Sequence, residues 1–206
     1  VSLHTPLVEE GPWPTLGRID AAAAARMAPD AWLVNAARGR VVTAGAAHAL
    51  ATTRPVVLDV WPAEPRPDPE LVDAVALGTP HIAGYALDGK GRGTAMIAAA
   101  LHAWAGLGEP AAAPTSAHLA ARAPGSALAP TAWLDALARQ ACDVRADDAR
   151  FRAAMAGISG DARAAAFAEL RRTYPARREM ARYVVRGDVP DGLRSAVADG
   201  LGMGRA

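Results

Sequence analysis

The first half of the chain alternates short apolar runs with helix-like segments, and this alternation limits the possible folds more than any other feature. The apolar runs occupy residues 31–35, 55–60 and, with a weaker signal, 79–83. Helix-like segments occupy residues 19–28, 44–51 and 71–77. The run at 55–60 is rich in valine, which is typical of a strand buried on both faces. Strands that alternate with helices favour right-handed crossovers, so we predict an α/β fold with a parallel sheet.

A change in composition separates the second half of the chain from the first. A long helix is predicted at 91–105, and residues 107–130 are then rich in alanine, proline, glycine and serine, as linkers are. Beyond them we predict helices at 131–142, 147–156 and 161–173, a strand at 183–186 and a last helix at 191–201. We therefore divide the chain into a sheet domain at 1–106, a linker at 107–130 and a small α+β domain at 131–206.

Composition argues against several classes of protein. The 206 residues carry a formal net charge of +1 and no basic stripe with interleaved aromatic residues, so we expect no nucleic-acid partner. The apolar stretches are interrupted well before the roughly 20 residues that a membrane span needs. A single cysteine, Cys142, favours a reducing, cytoplasmic setting, and no spacing of possible ligands predicts a metal site. Because Val1 opens within a strand-like segment, we expect the chain to be the C-terminal part of a longer protein.

Three polar side chains accompany the three apolar runs. Arg38 lies in Asn-Ala-Ala-Arg-Gly, Glu64 in Pro-Ala-Glu-Pro, and His81 in Pro-His-Ile-Ala-Gly. Turns at the carboxyl ends of neighbouring parallel strands line the ligand crevice of such a sheet. A guanidinium matches a carboxylate with two parallel donors, and a carboxylate beside a histidine stabilises the protonated ring. The set therefore predicts proton transfer while a substrate carboxylate is held.

Each of these residues also has a plain structural interpretation. Taken alone, Arg38 would be a solvated turn residue, Glu64 a surface glutamate, and His81 a core histidine bonded to a backbone carbonyl. Only their order along the chain favours a site. Glu70 is a weaker candidate than Glu64, because it immediately precedes a predicted helix and suits its N-terminus. The glycine-rich run at 89–93 lacks the full phosphate-loop pattern, so we interpret it as a basic helix start.

The motifs resemble those of the D-isomer-specific 2-hydroxyacid dehydrogenases, in which a catalytic arginine, glutamate and histidine stand in this order. The resemblance implies that Arg38 binds and polarises a 2-oxo or 2-hydroxy acid, that His81 exchanges the proton, and that Glu64 supports His81. It also implies NAD as the cofactor and a partial Rossmann-like fold for the predicted parallel sheet.

The same resemblance assigns contacts to four further residues. Thr5 in His-Thr-Pro-Leu and Asp59 in Leu-Asp-Val match cofactor-contacting positions, with Asp59 near the nicotinamide amide. Gly84 falls beside the same ring, and Tyr85 matches a substrate-contacting position. The family's G-x-G-x-x-G turn and its ribose-binding acidic residue are absent from these 206 residues, so we expect the chain by itself to be inactive.

The second half of the chain resembles an extra C-terminal dimerisation domain found in one branch of that family. The segments that carry this resemblance are residues 142–152 and 174–179. It implies a homodimer and a small phosphorylated 2-hydroxy acid as the substrate. Two alternatives stay open. One is a relative of the phosphoglycerate or hydroxypyruvate type, which the extra domain disfavours. The other is a non-catalytic NAD-sensing or dimerising module, which the intact arginine, glutamate and histidine disfavour.

Overall fold

The computed structural model describes residues 1–111 and 117–205, and these divide into two compact units. One unit combines residues 1–83 with residues 144–174, and the other combines residues 84–143 with the chain from residue 175 onward. The segment 112–116, inside the predicted linker, lies outside the described residues. The α/β fold with a parallel sheet is confirmed.

A four-stranded parallel sheet organises the first unit, and its spatial order follows the sequence. The strands are β1 (Ser2–Leu3), β2 (Leu33–Asn35), β3 (Val56–Leu58) and β4 (Leu77–Gly78). The helices are α1 (Ala21–Ala25), α2 (Ala44–Ala51), α3 (Pro69–Ala74) and, from the second half of the chain, α6 (Val144–Met155) and α7 (Gly160–Arg172). Side chains of Asp20, Thr43 and Asp68 accept a backbone N–H at the starts of α1, α2 and α3, which fixes where these helices begin.

Apolar side chains from the sheet and from α6 and α7 share one core. Leu33, Leu58 and Leu71 are buried in it together with Phe151 and Phe167. The two phenylalanine rings meet edge to face, with centroids 6.2 Å apart. Burying a side chain of this size contributes about 1.5–3 kcal/mol. Residues 144–174 thus complete the core of the first unit, although the sequence analysis groups them with the C-terminal domain.

The second unit is built on a three-stranded parallel sheet. Its strands are β5 (Leu119–Arg122), β6 (Tyr183–Arg186) and β7 (Gly204–Arg205), and its helices are α4 (Leu87–Trp104) and α5 (Pro130–Ala138). Trp133 and Leu137 of α5 are buried with Val185 of β6. The strand β5 lies within the predicted linker, because pairing with β6 outweighs the weak strand propensity of its alanine-rich sequence.

Two further predictions differ from the structure. The last helix, predicted at 191–201, is instead a 3-10 turn at Asp191–Leu193 followed by a π-helical turn at Ala196–Gly200. Two glycines in this short stretch weaken an α-helix, which explains the difference. The long helix predicted from residue 91 begins at Leu87, so it includes the glycine-rich run. Among the described residues, no helix combines the length and the apolar character that crossing a membrane requires.

Asp88 anchors the start of α4. Its side chain is only 4% exposed and accepts hydrogen bonds from the guanidinium groups of Arg178 and Arg182 and from the Glu179 backbone N–H. The hydrogen bond from Arg178 holds the pKa of the Asp88 carboxyl well below its usual range. The ionised carboxylate is therefore favoured in the folded unit, and its charge stabilises the fold fully at pH values above the pKa that Asp88 has in the unfolded chain.

Asp88→Asn is expected to lower the free energy of unfolding by about 3 kcal/mol at neutral pH, since it leaves two guanidinium groups without their carboxylate. The folded-state pKa lies below the unfolded value of about 3.9, so the difference between parent and variant is complete above about pH 5. It shrinks as the pH falls through the unfolded value and toward the folded one. Urea unfolding followed by circular dichroism at several pH values measures this difference. Asp191→Asn, which breaks an exposed pair with Arg194, is the control, and an equal loss in both variants would contradict the role of Asp88.

Candidate active site

The four strands of the first unit end level with one another. Leu3 is opposite Asn35, Asn35 is opposite Leu58, and Leu58 is opposite Gly78. These residues are the last of β1, β2, β3 and β4. Because the strands are parallel, the turns that follow them all begin at the same edge of the sheet. This register puts the turns carrying the sequence-predicted arginine, glutamate and histidine side by side, where ligands bind in open α/β sheets.

Glu64 and His81 are in direct contact at this edge. His81 Nδ1 lies 2.9 Å from Glu64 Oε2, and the two side chains are 28% and 24% exposed. The other carboxylate oxygen, Oε1, accepts the Trp61 backbone N–H at 2.8 Å, which fixes the plane of the carboxylate. An ionised carboxylate only accepts hydrogen bonds, so the imidazole proton is assigned to Nδ1. The second ring nitrogen, Nε2, is then the one suited to exchange a proton with a ligand.

The backbone of His81 has the left-handed conformation, with φ at 59°. This conformation is uncommon for residues other than glycine and is held here by Asp59. The Asp59 carbonyl accepts the His81 N–H at 2.7 Å, and its carboxylate accepts the N–H groups of Ile82 at 2.7 Å and Ala83 at 3.0 Å. The Thr79 hydroxyl donates to the same carboxylate at 2.7 Å. The prediction of a strand at 79–83 is therefore wrong: the strand is β4, and residues 79–83 form a turn wrapped around a buried carboxylate.

Arg38 lies on the turn after β2, which Asn35 closes. The Asn35 side chain accepts the Ala37 N–H and donates to the Arg38 carbonyl, each at 3.1 Å. The Arg38 side chain is exposed, and its Nη1 donates to the Ala37 carbonyl at 2.8 Å. The structure thus brings Glu64 and His81 into contact, while the Arg38 guanidinium bonds to the backbone of its own turn.

Gly39 ties the Arg38 turn to the turn that carries Glu64. Gly39 is buried, and a methyl group placed on its Cα would lie 1.8 Å from the Trp61 carbonyl oxygen. The two backbones therefore touch, and only glycine allows this approach. The contact fixes Arg38 next to the segment that positions Glu64.

The remaining sequence-predicted residues lie in both units. Thr5 is exposed in the turn after β1, at the same sheet edge as Glu64 and His81. Gly84 and Tyr85 belong to the second unit, where the Lys90 ammonium lies 3.9 Å from the centre of the Tyr85 ring. Their contacts with cofactor and substrate stay predictions.

Asp59 fits a role toward a nicotinamide cofactor. Its carboxylate is 7% exposed; Oδ1 accepts from Thr79 and Ile82, and Oδ2 accepts from Ala83. A carboxylate offers about four acceptor positions, and these three donors are compatible with a further amide N–H donor such as the nicotinamide carboxamide. The exposed Thr5 hydroxyl offers a further polar group at this edge.

Sequence reasoning missed two residues that organise the site. The Trp61 indole is buried and donates to the Thr79 carbonyl at 2.9 Å, which joins the Glu64 turn to the His81 turn. Thr79 bonds the Asp59 carboxylate through its hydroxyl. The available signal was a bulky aromatic residue directly after a buried strand, since a buried tryptophan N–H needs an acceptor.

Two family models match separate parts of the chain. Residues 1–83 match the family described as D-isomer specific 2-hydroxyacid dehydrogenase, NAD binding domain. Residues 118–200 match a domain of unknown function, DUF3410. The first match therefore covers the four strands of the first unit, and the second covers most of the second half of the chain.

Curated relatives extend over nearly the whole chain. The erythronate-4-phosphate dehydrogenase of Salinibacter ruber is 46% identical over 98% of this chain and 54% of its own length. That of Stutzerimonas stutzeri is 44% identical over the same two shares. The chain thus spans about half the length of the curated relatives that it matches.

Solved structures resemble a smaller part of the chain. The D-isomer specific 2-hydroxyacid dehydrogenase from Xanthobacter autotrophicus Py2, in complex with NADPH and MES, is 28% identical at a TM-score of 0.42, over 52% of this chain and 44% of that one. The family relationship is therefore drawn from the sequence matches and not from this structural resemblance. The chain is a homologue of the erythronate-4-phosphate dehydrogenases, and its residues 1–83 match the NAD-binding domain of the D-isomer specific 2-hydroxyacid dehydrogenase family.

Proposed function

We propose that this chain carries the proton-transfer site of an NAD-dependent dehydrogenase that acts on a small phosphorylated 2-hydroxy acid. The observation that supports the proposal best is the 2.9 Å contact between Glu64 and His81 at the carboxyl edge of the parallel sheet. A histidine that is oriented by a carboxylate and partly exposed suits general acid–base work. A merely structural histidine would not need a strained backbone to hold its position.

The mechanism follows from what each side chain can do. The Arg38 guanidinium binds the substrate carboxylate with two parallel N–H donors, turning from its present bond to the Ala37 carbonyl. His81 Nε2 then takes the proton of the 2-hydroxyl while the C2–H bond breaks and the C2=O bond forms. Glu64 stabilises the imidazolium through Nδ1. A bound NAD supplies the acceptor for the hydride that leaves C2.

The substrate that we propose is 4-phospho-D-erythronate, oxidised to 2-oxo-3-hydroxy-4-phosphobutanoate in the biosynthesis of pyridoxal 5'-phosphate. The support is the 44–46% identity to enzymes named for erythronate 4-phosphate. We further propose that Thr5, Asp59 and Gly84 contact NAD and that Tyr85 contacts the substrate, as the family resemblance implies. A homodimer formed through residues 131–206 and a cytoplasmic location complete the proposal.

The direct test supplies the full-length gene product with NAD and 4-phospho-D-erythronate and follows NADH formation. Phosphoglycerate and hydroxypyruvate, with the matching form of the cofactor, distinguish the neighbouring specificities. Turnover of 4-phospho-D-erythronate well above that of the other two substrates is expected. Absence of turnover with all three would overturn the enzymatic proposal.

Arg38→Lys in the same protein is expected to lower kcat/KM about ten- to a hundredfold. A lysine keeps the charge but loses the fork that matches a carboxylate, which removes a bond worth about 1.5–3 kcal/mol. Arg40→Lys is the matched control, because Arg40 follows in the same turn and pairs with exposed Glu9. Steady-state kinetics of the two variants measure the effect. Parent-like kcat/KM in Arg38→Lys would remove Arg38 from the site.

A further inference from the structure

Residues 144–174 leave the second unit in sequence and pack with the first. They form a hairpin of α6 and α7, which we call the α6–α7 hairpin. The hairpin falls inside the segment 118–200 that matches the domain of unknown function, DUF3410. The hairpin contacts the two turns of the first unit that carry Glu64 and His81.

The first contact is with the strand that leads to His81. The Asp148 side chain of α6 accepts the N–H of Gly78, the last residue of β4, at 2.7 Å. A methyl group at Gly78 would lie 2.8 Å from the Trp61 ring and 3.4 Å from the Phe151 ring. Gly78 is therefore enclosed between the two aromatic side chains while its N–H is held by the hairpin.

The second contact is with the turn that carries Glu64. The Phe151 ring of α6 packs on the Trp61 ring with centroids 5.2 Å apart, and both side chains are at most 1% exposed. Trp61 in turn holds Glu64 through its backbone N–H and the His81 turn through its indole N–H, which donates to the Thr79 carbonyl. A continuous series of packed and bonded groups thus runs from the hairpin to the glutamate–histidine pair.

Two arginines of the hairpin bond to the backbone of the segment between Glu64 and His81. Arg152 donates to the carbonyls of Val72 and Val75 at the end of α3. Arg163, which is 5% exposed, donates to the Pro67 carbonyl at 2.6 Å. Charge-assisted bonds of this kind are stronger than neutral ones. The hairpin therefore bonds to the segment between Glu64 and His81 near its start at Pro67, at the end of α3, and near its end at Gly78.

We propose that the α6–α7 hairpin positions Glu64 and His81 for proton transfer, which gives part of the DUF3410 segment a role in the dehydrogenase site. The role as a positioning element for catalysis rests on the function proposed above. The geometric part does not: loss of the hairpin contacts that reach the two turns, those of Phe151, Asp148 and Arg152, is expected to release the bond between His81 Nδ1 and Glu64 whether or not the protein oxidises a hydroxy acid.

Phe151→Leu and Phe167→Leu form the central test, carried out on this chain with 15N-labelled histidine. Both substitutions remove the same group from the same core, but Phe151 packs on Trp61, whereas Phe167 packs edge-on against Phe151. Two-bond 1H–15N spectra report which ring nitrogen of His81 carries the proton, and the spectrum of His81→Gln identifies its signals. We expect Phe151→Leu to lose the single Nδ1–H pattern and Phe167→Leu to keep it, at temperatures equally far below each variant's Tm.

A second pair of variants keeps the test decisive if Phe151→Leu does not fold. Arg152→Met removes the bonds to the α3 carbonyls, whereas Arg150→Met makes the same charge change in the same helix at a pair with Asp147. Loss of the Nδ1–H pattern in Arg152→Met alone supports the proposal. An unchanged His81 pattern in a folded Phe151→Leu or Arg152→Met overturns it. Because the spectra need no turnover, absence of dehydrogenase activity would overturn the proposed function and leave this result standing.

Discussion

Gly39→Ala is expected to destabilise the first unit by more than about 4 kcal/mol, enough to unfold many small domains. The added methyl would lie 1.8 Å from the carbonyl oxygen of Trp61 and 2.8 Å from the backbone nitrogen of the same residue. It therefore meets backbone rather than a flexible side chain. Relief requires the turns after β2 and β3 to separate, and this also displaces Trp61 from its core position. Urea unfolding followed by circular dichroism measures the loss.

Gly45→Ala is the matched control for this substitution. Gly45 lies in α2, and a methyl group there meets nothing within 4 Å. Alanine favours the helix and restricts the unfolded chain, so stability is expected to stay the same or rise by up to about 1 kcal/mol. A Gly39→Ala protein whose unfolding free energy stayed within about 1 kcal/mol of the parent would show that the two turns do not touch.

His81→Asn in the full-length gene product is expected to lower kcat by about 10²–10⁴, the usual contribution of a positioned general acid or base. Asparagine tolerates the left-handed backbone that His81 adopts, so the turn around Asp59 is retained while the proton carrier is lost. Steady-state kinetics with 4-phospho-D-erythronate and NAD measure the change.

His48→Asn serves as the control for His81→Asn, since His48 lies on α2 and pairs with the partly exposed carboxylate of Asp68. Its kcat is expected to match that of the parent. If His81→Asn instead kept kcat within about tenfold of the parent, the general acid–base role would pass to another residue.

Sequence reasoning predicted the features that depend on local pattern. The alternation of apolar runs and helices gave the parallel sheet, and the helix at 44–51 has the predicted bounds. The order Arg38, Glu64, His81 predicted a shared edge, and the contact between Glu64 and His81 follows from the level strand ends. The elements could be predicted because strand length, helix caps and turn position are set by neighbouring residues, and the shared edge could be predicted because parallel strands all end on the same side of a sheet.

Other features depend on partners that are distant in sequence. The run at 79–83 has the composition of a strand, but the Asp59 carboxylate takes the N–H groups of Ile82 and Ala83 and curls the backbone. The hairpin at 144–174 has the composition of its C-terminal surroundings, yet Phe151 and Phe167 are buried against the sheet. Neither periodicity nor composition encodes such pairings, because each depends on which surfaces meet after the chain has folded.

The hairpin also fixes an order of events during synthesis. The strands β1–β4 have all been synthesised once residue 78 has been translated, but their core lacks Phe151 and Phe167 until translation has passed the end of α7 at Arg172. Over that interval the apolar side that the hairpin will cover is open to other chains, as it is in folding intermediates prone to aggregation. Folding of the first unit is therefore coupled to the synthesis of residues 144–174, about 65 residues after its last strand.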